Sequence, residues 1–202
     1  MQSVQFVYRQ NQGQFRIIRA LNLLCGLVAA VVAAPIICIA AIAVALEDGF
    51  PVFFSQRRVG RFERTFLMHK LRTMRKEQCK DAVSPTGEGD SRLTRVGRIL
   101  RKTSIDEMPQ LLNVLRGDMH LVGPRPEMPF IVNEYKDWQH MRHLVHPGIT
   151  GLWQVRCRQQ VPLNKPEATL IDLEYIQSAS PVLDGALLAK TFTAVFSGHG
   201  AY

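Results

Sequence analysis

Apolar positions follow three different patterns along the chain. From Ala20 to Leu46 they are continuous, 27 residues without a charge. As a helix this run measures about 40 Å, against roughly 30 Å for a hydrocarbon core. It is far longer than the apolar region of a signal peptide, about 7–15 residues, although Ala43-Val44-Ala45 imitates a cleavage site. Pro35 divides it into pieces of 15 and 11 residues, each too short to cross alone. Arg9, Arg16 and Arg19 precede it, and Arg57, Arg58, Arg61 and Arg64 follow, so the positive-inside bias draws both ends to one side. These features leave two equal alternatives. One is a spanning helix, in which a proline is tolerated. The other is a helix that kinks at Pro35 and leaves by the leaflet it entered.

Alternation follows. Pro51-Val52-Phe53-Phe54 reads as a short strand or an interfacial anchor. Phe66, Met68 and Lys70 alternate as a second strand, predicting a hairpin through Gly60. Glu77 to Ser91 is polar, contains Ser84-Pro85-Thr86-Gly87, and predicts a mobile loop.

Helical spacing dominates the rest. Thr94 caps a predicted helix from Arg95 to Lys102, with Leu93, Val96, Ile99 and Leu100 on one stripe and Arg95, Arg98, Arg101 and Lys102 on another. Leu111, Leu112 and Leu115 mark a helix from about Asp106 that ends near Gly117. Ile131, Tyr135, Trp138, Met141 and Val145 predict an amphipathic helix. His146 to Gly151 is a turn-rich connector into Leu152-Trp153-Gln154-Val155. Two further helices are predicted, Glu167 to Gln177 (Leu170, Leu173, Ile176) and Val182 to Phe196 (Leu183, Leu187, Phe192, Val195, Phe196).

The chain has 202 residues and a net charge of +8. That charge suits nucleic acid, an anionic membrane or phosphorylated substrates. The apolar run favours lipid as the partner of the basic helix at Arg95–Lys102. Cys25, Cys38, Cys79 and Cys157 lack metal-ligand spacing and read as reduced thiols of a cytosol-facing protein.

The chemistry gathers in Thr103-Ser104-Ile105-Asp106-Glu107-Met108-Pro109-Gln110-Leu111. Ser104 and Glu107 have capping-box spacing, which puts both carboxylates in a first helical turn. Pro109 would then fall in the second turn without an N–H, so the helix start moves one or two residues later. Five cations precede the pair: Arg92, Arg95, Arg98, Arg101 and Lys102. Such a place can hold and attack phosphate groups, although an Asp-Glu pair alone is most often a solvated cap. Lys70 and Arg72 read first as surface cations on a strand. Prolines on both sides stiffen the loop at Arg125, which suits bidentate phosphate binding or a structural salt bridge equally. Arg142 and His143 stand near the end of their predicted helix.

The segments PVFFSQRRVG (51–60), KLRTM (70–74), RLTRVGRILRKTSIDEMPQLLNVLRGDMHLVGPRP (92–126) and RHLVHPGITGLWQV (142–155) closely resemble the bacterial sugar transferases of the monotopic phosphoglycosyl transferase superfamily. The resemblance covers nearly the whole chain. It implies a mainly helical α+β fold. Residues 1–47 would form a basic segment and a re-entrant membrane helix broken at Pro35. Residues 48–202 would form a small catalytic domain with a short β-hairpin and interfacial amphipathic helices, facing the cytoplasm at the bacterial inner membrane. It also implies transfer of a sugar phosphate from a UDP-sugar to polyprenyl (undecaprenyl) phosphate, the first membrane step of exopolysaccharide or lipopolysaccharide assembly.

By the same resemblance, Asp106 is the nucleophile of an aspartyl-phosphosugar intermediate and Glu107 binds Mg²⁺. Lys70, Arg101 and Arg125 hold phosphate oxygens, with Arg72, Arg142 and His143 as a second tier. Membrane lipids are expected as partners, nucleic acid is not, and a homodimer is left open. The sequence departs from the family at Ala34-Pro35, Ile105 and Met108 beside the dyad, and Arg156-Cys157. The rival readings are a non-enzymatic, membrane-anchored basic scaffold and a nucleic-acid binder.

Overall fold

The apolar run lies inside the longest element, helix α1 (Gln12–Asp48), which is helical on both sides of Pro35. It is the one helix among the described residues long and apolar enough to cross a membrane. The computed structural model describes residues 12–76, 90–157, 160–163 and 165–196. Residues 77–89 of the predicted loop, with Cys79, and Arg158 lie outside them.

Along α1, Ile18, Asn22, Ala33, Ala40 and Val44 are buried, a stripe at helical spacing. Leu24, Val28, Val31, Ile39 and Leu46 on the other face are exposed. Asn22 is the polar member of the stripe, and it satisfies backbone that no strand partner reaches. Its Oδ1 accepts the Leu121 N–H at 2.6 Å. At the far end, Glu47 accepts the N–H groups of Arg95 and Val96 at 2.7 and 2.8 Å, where a helix N-terminus favours an anion. Asp48 accepts the Lys76 N–H at 2.9 Å and pairs with Arg72 at 3.1 Å. Both ends of α1 are thus fastened to one globular unit.

Strands β1 (Phe53–Val59) and β2 (Thr65–Leu71) form the predicted hairpin, with Phe53 opposite Leu71 and Val59 opposite Thr65. Gly60 closes the turn by donating to the Arg64 carbonyl at 2.9 Å. Helix α2 (Arg95–Lys102) follows with its predicted cap, Thr94 Oγ1 accepting the Gly97 N–H at 2.8 Å. Ile99, assigned to the apolar stripe, is instead exposed. α2 lies so close to the segment after β2 that a Cβ on Gly97 would stand 2.0 Å from the Thr73 carbonyl oxygen. Backbone cannot yield as a side chain does. Gly97→Ala is therefore expected to destabilise the protein by about 2 kcal/mol or more, read as a lowered thermal midpoint. An unchanged midpoint would contradict this packing.

The segment Ile105–Gln110 winds as a 3-10 helix before helix α3 (Leu111–Arg116) begins. The capping-box expectation fails here. Ser104 has φ 55 and its side chain caps nothing. In an α-helix Pro109 would have to donate to the Ile105 carbonyl, and it has no N–H. Gly117 ends α3 with φ 83, a conformation that favours glycine.

Strand β3 (His120–Val122) pairs in parallel with β4 (Gly148–Thr150), inside what reads from sequence as a connector. Helix α4 (Pro129–Val132) and a 3-10 segment, Gln139–Leu144, lie in the crossover between them. The amphipathic helix expected through Ile131–Val145 does not form. α4 stops after four residues, and the Lys136 N–H goes to the Gln139 side chain at 3.0 Å. Helices α5 (Leu152–Arg156), α6 (Pro166–Ser178) and α7 (Pro181–Phe196) complete the described chain. The fold is α+β and mainly helical. Its core joins Ile18 and Ala33 of α1 to Val114, Met119, Val122, Leu173, Ile176 and Leu187. Leu170 and Phe192, placed in helix stripes from sequence, are exposed.

Candidate active site

Asp106 and Glu107 lie in the 3-10 segment, against β2. Asn113 holds that contact in register. It accepts the His69 N–H at 3.1 Å and donates to the Leu67 carbonyl at 2.7 Å, on the edge of β2 away from β1. Lys70 of β2 is consequently brought to the dyad, and its Nζ donates to Glu107 Oε1 at 2.7 Å. Arg125 Nη2 donates to the same oxygen at 2.8 Å, while its Nη1 stands 3.5 Å from Oε2. Burial would raise the Glu107 carboxyl, but Arg125 and Lys70 together hold it well below the usual carboxylate range.

Asp106 makes neither of these ion pairs. It is 5% exposed, and burial pushes its carboxyl up to about 6 against the pull of Lys70, with Glu107 adding to the rise. The two neighbours are therefore driven apart, one firmly ionised and one poised near neutrality. This is the pattern expected where one carboxylate gathers charge and the other reacts. Arg101 also acts on Asp106 through its charge, and its Nε donates to Thr73 Oγ1 at 3.0 Å.

The stiffness predicted for the Arg125 loop has a specific origin. Four consecutive carbonyls are pinned from outside: Pro124 by the Gly148 N–H (2.9 Å), Arg125 by Arg142 Nη2 (2.9 Å), Pro126 by Arg58 Nη1 (3.1 Å) and Glu127 by the Val59 N–H (2.9 Å). Gly148 reaches Pro124 because it has no side chain; a Cβ there would stand 2.1 Å from the Gly123 nitrogen. Arg58 enters the sequence reading only as one of the cations that follow the apolar run. Burial, then the neighbouring Arg125 charge, lower it to about 10, and its Nε lacks a partner.

The remaining predicted cations lie outside the Glu107 cluster. Arg72 is 3% exposed and clamps the end of α1, donating to the carbonyls of Asp48 and Gly49 at 2.8 and 2.7 Å. Arg142 is buried, pairs with Asp172 at 2.6 Å and bonds to the Tyr135 hydroxyl, so it bears on the site by way of the Arg125 carbonyl. His143 faces Tyr135 and Glu63. Tyr135 and Asp172 were likewise missed as site-supporting residues, since polar residues at these distances in sequence carry no local signal of pairing. Arg156, part of the departure at Arg156-Cys157, forms an exposed pair with Glu174 at 2.6 Å.

Residues 13–198 match the family model described as bacterial sugar transferase. The chain is 35% identical over 187 residues to the UDP-N-acetylgalactosamine-undecaprenyl-phosphate N-acetylgalactosaminephosphotransferase of Aeromonas hydrophila, covering 91% of this chain and 44% of that protein. It is 42% identical over 166 residues to the galactosyl transferase CpsE of Streptococcus agalactiae, covering 77% of this chain and 37% of that one. It is 39% identical over 191 residues to the UDP-glucose:undecaprenyl-phosphate glucose-1-phosphate transferase of Caulobacter vibrioides, covering 91% and 71%. The chain thus spans less than half the length of the first two relatives.

Proposed function

The chain belongs to the bacterial sugar transferase family, and on that premise we propose that it moves a sugar phosphate from a UDP-sugar to polyprenyl phosphate. The products are polyprenyl-diphosphate-sugar and UMP. The observation that carries this reading is the meeting of Lys70 and Arg125 on one oxygen of Glu107, beside a carboxyl held near 6. A diphosphate needs cations gathered before it arrives, and a nucleophile needs a carboxylate that those cations have not already neutralised.

An Asp106 carboxylate oxygen attacks the phosphorus that carries the sugar. The phosphoanhydride P–O bond breaks, and its electron pair leaves with UMP. A phosphate oxygen of the lipid then attacks the same phosphorus, the aspartyl–phosphorus bond breaks, and Asp106 returns to carboxylate. Lys70 and Arg125 turn from Glu107 towards the phosphate oxygens, and Arg101 offers charge from α2. The donor set also fits Mg²⁺, which takes one or two carboxylates and completes its shell with substrate phosphate. Glu107 would hold it through Oε2, whose contact with Arg125 is long at 3.5 Å, leaving Asp106 free to react. When bound, the ion neutralises the donor diphosphate.

We read α1 as entering and leaving by one leaflet, with the rest of the chain on the cytoplasmic face. Two observations support this. Both ends of α1 are tied to the same globular unit, and its outward face is apolar. The exposed Ile99 lies among the exposed Arg95, Arg98 and Lys102 of α2, a mixture suited to headgroup level.

The test is intact-protein mass measurement after incubation with single UDP-sugars, without acceptor. A phosphosugar adduct and an equivalent amount of UMP are expected for the accepted sugar. Ternary-complex kinetics without an adduct would favour direct transfer. No UMP from any UDP-sugar with polyprenyl phosphate present would favour the scaffold reading.

A further inference from the structure

The tip of the β1–β2 hairpin carries Glu63, and the 3-10 segment Gln139–Leu144 carries His140 and His143. Three residues make one turn of a 3-10 helix, so residues three apart fall on the same side. The two imidazole rings lie 6.2 Å apart, centroid to centroid. Glu63 Oε1 stands 2.8 Å from His140 Nδ1 and 3.9 Å from His143 Nδ1. One ligand atom from each of the three residues lies within 4.8 Å of the other two.

A hydrogen-bonded triad does not account for this cluster. The His143 side chain is 8% exposed and its Nδ1 has no hydrogen-bond partner. Leaving a buried nitrogen unpaired is costly, and Glu63 at 3.9 Å is too far to pair it. Tyr135 stacks on His143 (6.1 Å, 13°) and meets His140 edge-on (5.7 Å, 75°), which restricts how either ring can turn. The hairpin tip that brings Glu63 there passes through two left-handed residues, Phe62 (φ 52) and Glu63 itself (φ 60). Non-glycine residues adopt that conformation at a cost.

We propose that Glu63, His140 and His143 form a Zn²⁺ site, with water in the fourth position, that clips the hairpin tip to the segment bearing Arg142. Two imidazole nitrogens and one carboxylate oxygen are a recognised tetrahedral donor set for this ion. At zinc bond lengths tetrahedral ligand atoms stand roughly 3.3 Å apart, so His143 has to approach Glu63 from 3.9 Å while His140 withdraws from 2.8 Å. Arg142 opposes a second cation, but Asp172 is paired with it at 2.6 Å. The clip would bear on the phosphate-binding loop, because Arg142 donates to the Arg125 carbonyl.

The test uses purified full-length protein stripped of metal and titrated with Zn²⁺ alone, and with Co²⁺ for its visible absorption. The expected result is a single equivalent bound, the absorption of a low-coordinate nitrogen–oxygen site, and a raised thermal midpoint. An Asp106→Asn/Glu107→Gln double variant should keep this binding, since it lacks both dyad carboxylates and retains the clip. His140→Ala alters a partly exposed side chain and should weaken binding by roughly 10- to 100-fold or more, with its circular dichroism unchanged. Glu63→Gln should weaken it as well. No binding by the wild type, binding that persists in both His140→Ala and Glu63→Gln, or binding lost in the dyad variant would each overturn the assignment.

Discussion

Asp106→Asn is expected to abolish turnover, by about 10⁴-fold or more, and at the same time to make the protein more stable. The first effect follows from chemistry, because an amide oxygen cannot form the acyl phosphate. The second follows from burial. The Asp106 carboxyl rises from 3.8 to about 6 on folding. Between those values the folded protein keeps a proton that the unfolded chain has released. Stability from this group is therefore full below about 4 and is lost as pH climbs through 6. At pH 7 the ionised, buried carboxylate costs about 3 kcal/mol, which a neutral amide does not. The two readouts are UMP release and a thermal melt at pH 7. Wild-type turnover in the variant would falsify the nucleophile, and a lowered midpoint would contradict the burial argument. In the wild type, kcat/KM should also fall about tenfold per pH unit below 6, as the carboxylate is protonated.

Asp172→Ala should cost about 3–5 kcal/mol, because it leaves Arg142 buried without its counter-charge. The paired side chains are 1% and 2% exposed. Burial raises Asp172 to about 6 even against Arg142, while for Arg142 burial is outweighed only by Asp172, Tyr135 and Glu127 together, which hold it above its ordinary value. Both are therefore charged at pH 7. The loss should be visible as a depressed melt, together with weaker binding of the sugar nucleotide, since Arg142 supports the Arg125 carbonyl. Replacing both partners, Arg142→Met with Asp172→Leu, should recover most of the stability but not the binding. If Asp172→Ala melts like the wild type, the pair is not the strut described.

Local signals were legible wherever one short segment decided the outcome. Thr94 capped its helix, the Phe66–Met68–Lys70 alternation formed its strand, and the helices predicted over Glu167–Gln177 and Val182–Phe196 formed as α6 and α7. The failures share a cause. His140 and His143 read as part of an α-helix because the apolar residues around them fit that period, yet the backbone there has the tighter 3-10 winding. β4 is three residues long, and its pairing with β3 rests on glycines whose close approach has no sequence pattern. Of the residues the resemblance names, Asp106, Glu107, Lys70 and Arg125 lie together. Arg72 and Arg142 could not be separated from them, because their partners Asp48 and Asp172 lie 24 and 30 positions away along the chain.

The apolar helix contributes Ile18 and Ala33 to the central core, and Ala40 and Val44 to a second cluster with Leu71 and Leu100. It is therefore no detachable tether. A shortened fragment beginning after Asp48 would expose Val114, Met119 and Leu100 to water, strand the Leu121 N–H, and release Arg72 from its clamp. Water-soluble versions of this protein are better sought by recolouring the outward face of the helix, from Leu24 through Ile39, than by cutting the chain.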